Sequence, residues 1–223
     1  MFSFSAHVTN GDVFYAFGAL LALLLLGAIR CAPWRHVFAN TGLQHLFAGA
    51  VVLLLVLWSI KAQLATGFEI HLLGITAVTL IIGWDLALIA GCLALGALSF
   101  LHGAELSSFT ANAVLTLVLP IALTRVVARW VDSWQVNNFF VYLFVCGFFC
   151  AALNAAVIGA ALSGLLWWTT DISWLAIDRD VITIIPLTLF PEGLLNGILL
   201  CAAMVFYPDW VRSFDAKRYI DDQ

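Results

Sequence analysis

IHLLGITAVTLIIGWDLALIAGCLALGALSFL, running from Ile70 to Leu101, is the stretch on which the fold turns. As one helix it would extend about 48 Å at 1.5 Å per residue, more than one ordinary tilted membrane crossing requires. Gly83-Trp84-Asp85 interrupts it with a turn residue, an interfacial aromatic and a charge. Two short spans, 70–83 and 85–101, are the better reading.

Working outward, further apolar runs bounded by charge, Gly or Pro lie at 13–30, 43–61, 109–130, 139–167 and 180–207. Of the 223 residues, 64% are hydrophobic and 10% charged; the mean hydropathy is +1.06. A water-soluble globule cannot hide that much apolar surface, so the solvent is lipid. The expected fold is all-α: a polytopic transmembrane helical bundle of about seven spans, forming a single integral membrane domain over 1–223. The run from Val13 to Ile29 follows an uncharged and acidic stretch and has no convincing cleavage site after it, so it reads as a retained span.

Basic residues accumulate on the cytoplasmic side of membrane proteins, which tests the span count. With seven spans Arg30, Arg35, Arg125, Arg129, Arg212, Lys217 and Arg218 share one side. Asp12, Glu69, Glu105, Asp171, Asp178 and Asp180 share the other, and only Lys61 and Arg179 run against the trend. Merging the third and fourth spans would send Arg30 and Arg125 to opposite compartments. The expected orientation is N-out and C-in, with a short extracellular N-terminus at 1–12 and a cytoplasmic tail at 208–223.

Net charge is −4, and no basic cluster is dense enough for nucleic acid. Five cysteines, an odd number without close-set pairs, read as small buried hydrophobes. Ala151, Ala155, Gly159 and Ser163 recur every four residues beside Ala152, Ala156, Ala160 and Gly164. Such rows let helix backbones approach closely in lipid, so the sixth span is expected at the centre of the bundle.

An intramembrane carboxylate is costly and needs a partner or a purpose. Glu192 lies about 18 Å into the seventh span, near the midplane, between Pro191 and Gly193. Asn196 is one turn on, and Asn154 of the sixth span is at similar depth. These three read as an intramembrane polar hub. It either lines or gates a route, or is a protonated carboxyl that fixes helix packing; burial favours the neutral form.

A second polar group collects at the outer surface. Glu69 and His71 open the third span, His102 and Glu105 follow the fourth, and Asn112 is in the first turns of the fifth. Imidazole with further nitrogen or oxygen ligands suits nickel, cobalt, copper or zinc. His45 reads as a hydrogen bonder between helices. Gly-x-Ser-x-Gly, His-Glu-x-x-His and a phosphate-binding glycine loop are all missing, so the chain does not read as an enzyme.

His71-Leu72-Leu73-Gly74, with Gly83-Trp84 beyond it, resembles the His-Leu-Thr-Gly segment of the CbiM/NikM-type substrate-capturing subunits of cobalt and nickel energy-coupling-factor transporters. Thr110-Ala111-Asn112-Ala113-Val114 is similar to that family's Gly-Ala-Asn-Val-Phe segment. Glu192-Gly193-Leu194-Leu195-Asn196-Gly197 is similar to its Glu-Gly-Leu-Ile-Thr-Gly segment. The matches fall in family order and span residues 43–207.

The resemblance implies capture of a divalent metal from outside, with His71 as the matching ligand and Asn112 supporting it. It implies no intrinsic cofactor, the metal being cargo, and work with a separate coupling protein and ATPases in a bacterial-type cytoplasmic membrane. Family members that bind nickel or cobalt carry a histidine directly after the initiating methionine; here that position is Phe2. A different ligand set follows, with His71 joined by His102, Glu69 or Glu105. The alternative is a non-transporting scaffold or assembly protein on the same fold, held in another membrane complex.

Overall fold

A computed structural model describes residues 2–3, 11–63, 69–102, 106–134, 138–169 and 173–213. Its helices are α1 (Gly11–Cys31), α2 (Trp34–Ala39), α3 (Thr41–Ser59), α4 (Ile75–Ile82), α5 (Trp84–His102), α6 (Leu106–Ala113), α7 (Leu119–Ser133), α8 (Phe139–Tyr142), α9 (Cys150–Thr169), α10 (Trp174–Asp180) and α11 (Ile185–Phe206). A π turn at Val114–Val118 joins α6 to α7, and another at Leu143–Phe149 joins α8 to α9. Five helical stretches among the described residues are long and apolar enough to cross a membrane, and Tyr15–Cys31 is a shorter sixth.

Local sequence sets the helix boundaries. The Asn40 side chain accepts from Gly42 N–H at 2.9 Å and starts α3; Asn138 does the same for Phe140 N–H and α8. Each satisfies amides that a first helical turn leaves unpaired. Gly83, at φ +87°, separates α4 from α5, so the break read at Gly83-Trp84-Asp85 is real.

The third crossing, however, is not a complete helix. α4 has only eight residues, about 12 Å of rise, and the preceding His71–Gly74 is irregular yet buried or half-buried. This crossing is therefore made of the short strand Glu69–Ile70, the irregular His71–Gly74 and the eight residues of α4. Irregular backbone at membrane depth survives only where protein satisfies its polar groups.

At the outer mouth, three two-residue strands form an antiparallel sheet: β1 (Phe2–Ser3), β2 (Ala62–Gln63) and β3 (Glu69–Ile70), with β3 central. Phe2 pairs with Ile70 and Ser3 with Glu69. The opposite end of α4 meets Arg212 and Ser213 after α11, so the two chain ends approach α4 from opposite sides, as an odd number of crossings requires. Near this inner end one cavity is lined by Pro33, His36 and Arg212, and another by Arg125, Arg129 and Arg212. Arg125, Arg129 and Arg212, which were expected to share a side, therefore do, while Lys217 and Arg218 lie outside the described residues.

α9 packs on α11, α7 and α4, in keeping with a central sixth span. Its Ala151, Ala155, Gly159 and Ser163 row is buried, whereas Ala160 and Gly164 of the other row are exposed. The cysteines depart from expectation: Cys146 and Cys150 are buried, Cys92 and Cys201 half-buried, and Cys31 is exposed at the end of α1. His45, expected to bond between helices, is exposed and makes no hydrogen bond among the described residues: it borders a cavity whose other wall is the apolar Val78, Ile81 and Ile82 of α4.

Candidate functional site

Breaking a helix at the membrane midplane leaves unpaired N–H groups and a positive dipole end, and the chain meets both with one helix face. Leu73 N–H donates to Glu192 Oε2 at 2.8 Å and Gly74 N–H to Oε1 at 3.0 Å. Ala77 N–H donates to Asn196 Oδ1 at 2.8 Å. The Asn196 amide also donates to Glu192 Oε1 at 2.8 Å. All three hydrogen bonds to the carboxyl group come from N–H donors.

Carbonyls of the irregular segment are matched as well. Trp58 Nε1–H donates to Leu73 O at 3.0 Å. His71 Nδ1 lies 3.2 Å from Leu72 O, a contact that requires the proton on Nδ1 and leaves the Nε2 lone pair for another electrophile. The ring is buried, with the Trp58 indole 6.1 Å away. Carbonyl-oriented imidazoles of this kind are the usual form of a metal-ligating histidine.

Sequence-read groups divide into two sets. Glu69 and His71 are brought together next to β1, but Glu69 is ion-paired with Lys61 at 2.7 Å. Lys61, which ran against the charge trend, thereby gains a reason. His102 ends α5, with its side chain outside the described residues, as is Glu105. Asn112 is buried in α6, which packs on α1 and α5. No group of three or more His, Cys, Asp or Glu side chains among the described residues is placed to hold a metal.

In the hub, Glu192 and Asn196 join as expected. Asn154 bonds to neither. Its amide donates to the Thr76 hydroxyl at 2.8 Å and the Thr124 hydroxyl at 3.0 Å, tying α9 to α4 and α7. Its Oδ1 is buried without a partner among the described residues.

Sequence reading missed the other end of α4. Arg212 N–H donates to Ile81 O at 2.9 Å, its guanidinium to Ile82 O at 2.7 Å, and Ser213 Oγ to Leu80 O at 2.6 Å. Gly83 N–H closes on Thr79 O. Every carbonyl of the last turn is thus occupied. Arg212 also pairs with Asp85 at 2.6 Å, and Asp85 is almost wholly buried. The only sequence signal was the acid in Gly83-Trp84-Asp85, read only as a charge that interrupts the apolar run.

A family model described as the cobalt uptake substrate-specific transmembrane region matches residues 5–210. The chain belongs to the CbiM family. Comparisons with curated proteins and with solved structures gave no match. This CbiM-family chain is accordingly a multi-pass membrane component of a cobalt-uptake class, and its family is one of transporter components rather than enzymes.

Proposed function

We propose that the chain is the substrate-capturing subunit for a divalent transition-metal ion of the nickel and cobalt class. It works with a separate transmembrane coupling protein and cytoplasmic ATPases in a bacterial-type cytoplasmic membrane. The observation that carries this reading is His71: buried at the outer mouth, oriented through Nδ1 by the Leu72 carbonyl, and one residue from the strand that pairs with Phe2. His71 supplies Nε2 to the ion. His102 and Glu105 are the further ligands, Glu69 can join only by leaving Lys61, and Asn112 supports the site.

Burying the polar hub serves capture by holding the segment that carries His71. Glu192 fixes Leu73 and Gly74, immediately after the ligand, so the imidazole is presented from a backbone that cannot drift. Elemental mass spectrometry on untagged protein purified without chelator tests the reading. Near-stoichiometric nickel, cobalt, copper or zinc is expected, and its loss in His71→Ala. Wild-type protein that stays empty and takes up none of these ions sinks the proposal.

The pairing of Glu69 with Lys61 and the presence of Phe2 favour a second reading, a scaffold or assembly protein on this fold held in another membrane complex. Copurification separates them: a coupling protein and ATPases support capture, and a stable complex without ATPases supports the scaffold.

A further inference from the structure

Arg125 and Arg129 stand one turn apart on α7 and face a cavity of about 220 Å³ between α7, the inner end of α4 and the Arg212-Ser213 segment. Like charges at this spacing repel each other on a helix. The Arg125 guanidinium lies 4.6 Å over the Trp84 ring, and neither arginine has a carboxylate partner among the described residues. Asp85, the acid beside the cavity, is committed to Arg212 and to Leu86 N–H. The hydroxyls of Thr79, Thr124 and Ser213 are spent on backbone carbonyls. The cavity therefore holds two arginines with no salt bridge among the described residues, Arg125 feeling Asp85 only at longer range, and its volume equals about seven water molecules, enough for a tetrahedral oxyanion.

Its level in the membrane is marked by Trp130 and Trp134, an exposed edge-to-face pair with centroids 4.4 Å apart at the end of α7. Exposed tryptophans gather at the headgroup layer. Arginine suits phosphate through its planar fork of donors, and basic pockets between helices on the cytoplasmic side receive anionic headgroups.

We propose that Arg125 and Arg129, with the Arg212 wall, form a phosphate-binding site on the inner side of the bundle, filled by the phosphodiester of an anionic lipid. The site is separate from the metal-capturing mouth. A solvated face that merely obeys charge asymmetry would behave like Arg30 and Arg35, both exposed at the same membrane side, and this supplies the control.

Intact protein is loaded with equimolar phosphatidylglycerol and phosphatidylcholine, and retained lipid is read by native mass spectrometry. Wild type is expected to retain phosphatidylglycerol preferentially. R125Q/R129Q is expected to bind it roughly thirtyfold more weakly, the loss of two basic contacts near the membrane surface. R30Q/R35Q, with the same change in net charge, should lose far less, and R125K/R129K, which keeps the charge without the planar fork, should bind more weakly than wild type but more tightly than R125Q/R129Q, which separates charge loss from misfolding. Thermal stabilisation by inorganic phosphate, absent in R125Q/R129Q, would assign the same site to a free phosphate. Equal weakening in both glutamine variants, or no response of wild type to either ligand, overturns the proposal.

Discussion

The two ends of α4 solve one problem by different means. At the membrane midplane the unpaired amides meet Glu192 and Asn196, both fully enclosed and both from α11. At the inner surface the unpaired carbonyls meet Arg212 and Ser213, with Asp85 neutralising an arginine that is 39% exposed. The buried end uses the carboxyl oxygens of Glu192 as acceptors for backbone amides, with no cation facing them among the described residues; the wet end uses an ion pair. Removing a buried acceptor strands its donors in a low dielectric, whereas water can replace part of a surface clamp.

Glu192→Ala is therefore expected to be the most damaging change. It leaves the Leu73 and Gly74 amides without acceptors at about 1–3 kcal/mol each, and thermal unfolding in detergent should show a large fall in Tm. It should also empty the metal site, since the segment bearing His71 loses its anchor. Arg212→Ala comes next, at about 3 kcal/mol, because Asp85 stays buried with its charge uncompensated. Metal loading should survive Arg212→Ala. Equal metal loss from both variants would show that the two ends act as one unit rather than as separate caps.

Gly83→Ala should follow at roughly 1–2 kcal/mol, from strain at positive φ. The new methyl would also meet the Arg212 guanidinium at 2.5 Å. Combining it with Arg212→Ala sharpens the comparison: the clash disappears, so the double variant should be more stable than the two single losses sum to. Thr76→Val is the mildest test, removing one hydroxyl that accepts from Asn154, at about 1 kcal/mol by denaturant melting. A larger loss than that of Gly83→Ala would move the weight of α4 from its ends to its middle.

Much of the bundle was legible because lipid enforces long apolar runs and charge asymmetry, and the Gly83 break was visible for the same reason. The half-helix was not. Ile70, Leu72 and Leu73 are as apolar as a helical turn, and hydropathy carries no record of the φ of +67° at Gly74. The cost of burying Glu192 was legible, but its partners are backbone amides 118 and 119 residues away. Asp85 and Arg212 were each explained locally, one as a charge breaking an apolar run and one as an inside-positive residue, so nothing prompted the search for a pair 127 residues apart. The π turns at Val114–Val118 and Leu143–Phe149 left no periodicity that a sequence window resolves.

The order in which a ribosome makes the chain gives α4 a particular history. Its amides await Glu192 and its carbonyls await Arg212, and both are synthesised last, with α11 and the residues beyond it. While α4 and α5 enter the membrane, the stretch from Ile70 to Leu101 can satisfy its backbone only within itself, and continuous helix through Gly83 does that best. Arrival of the seventh crossing then permits the exchange of internal bonds for caps, so the break is expected to form late in biogenesis.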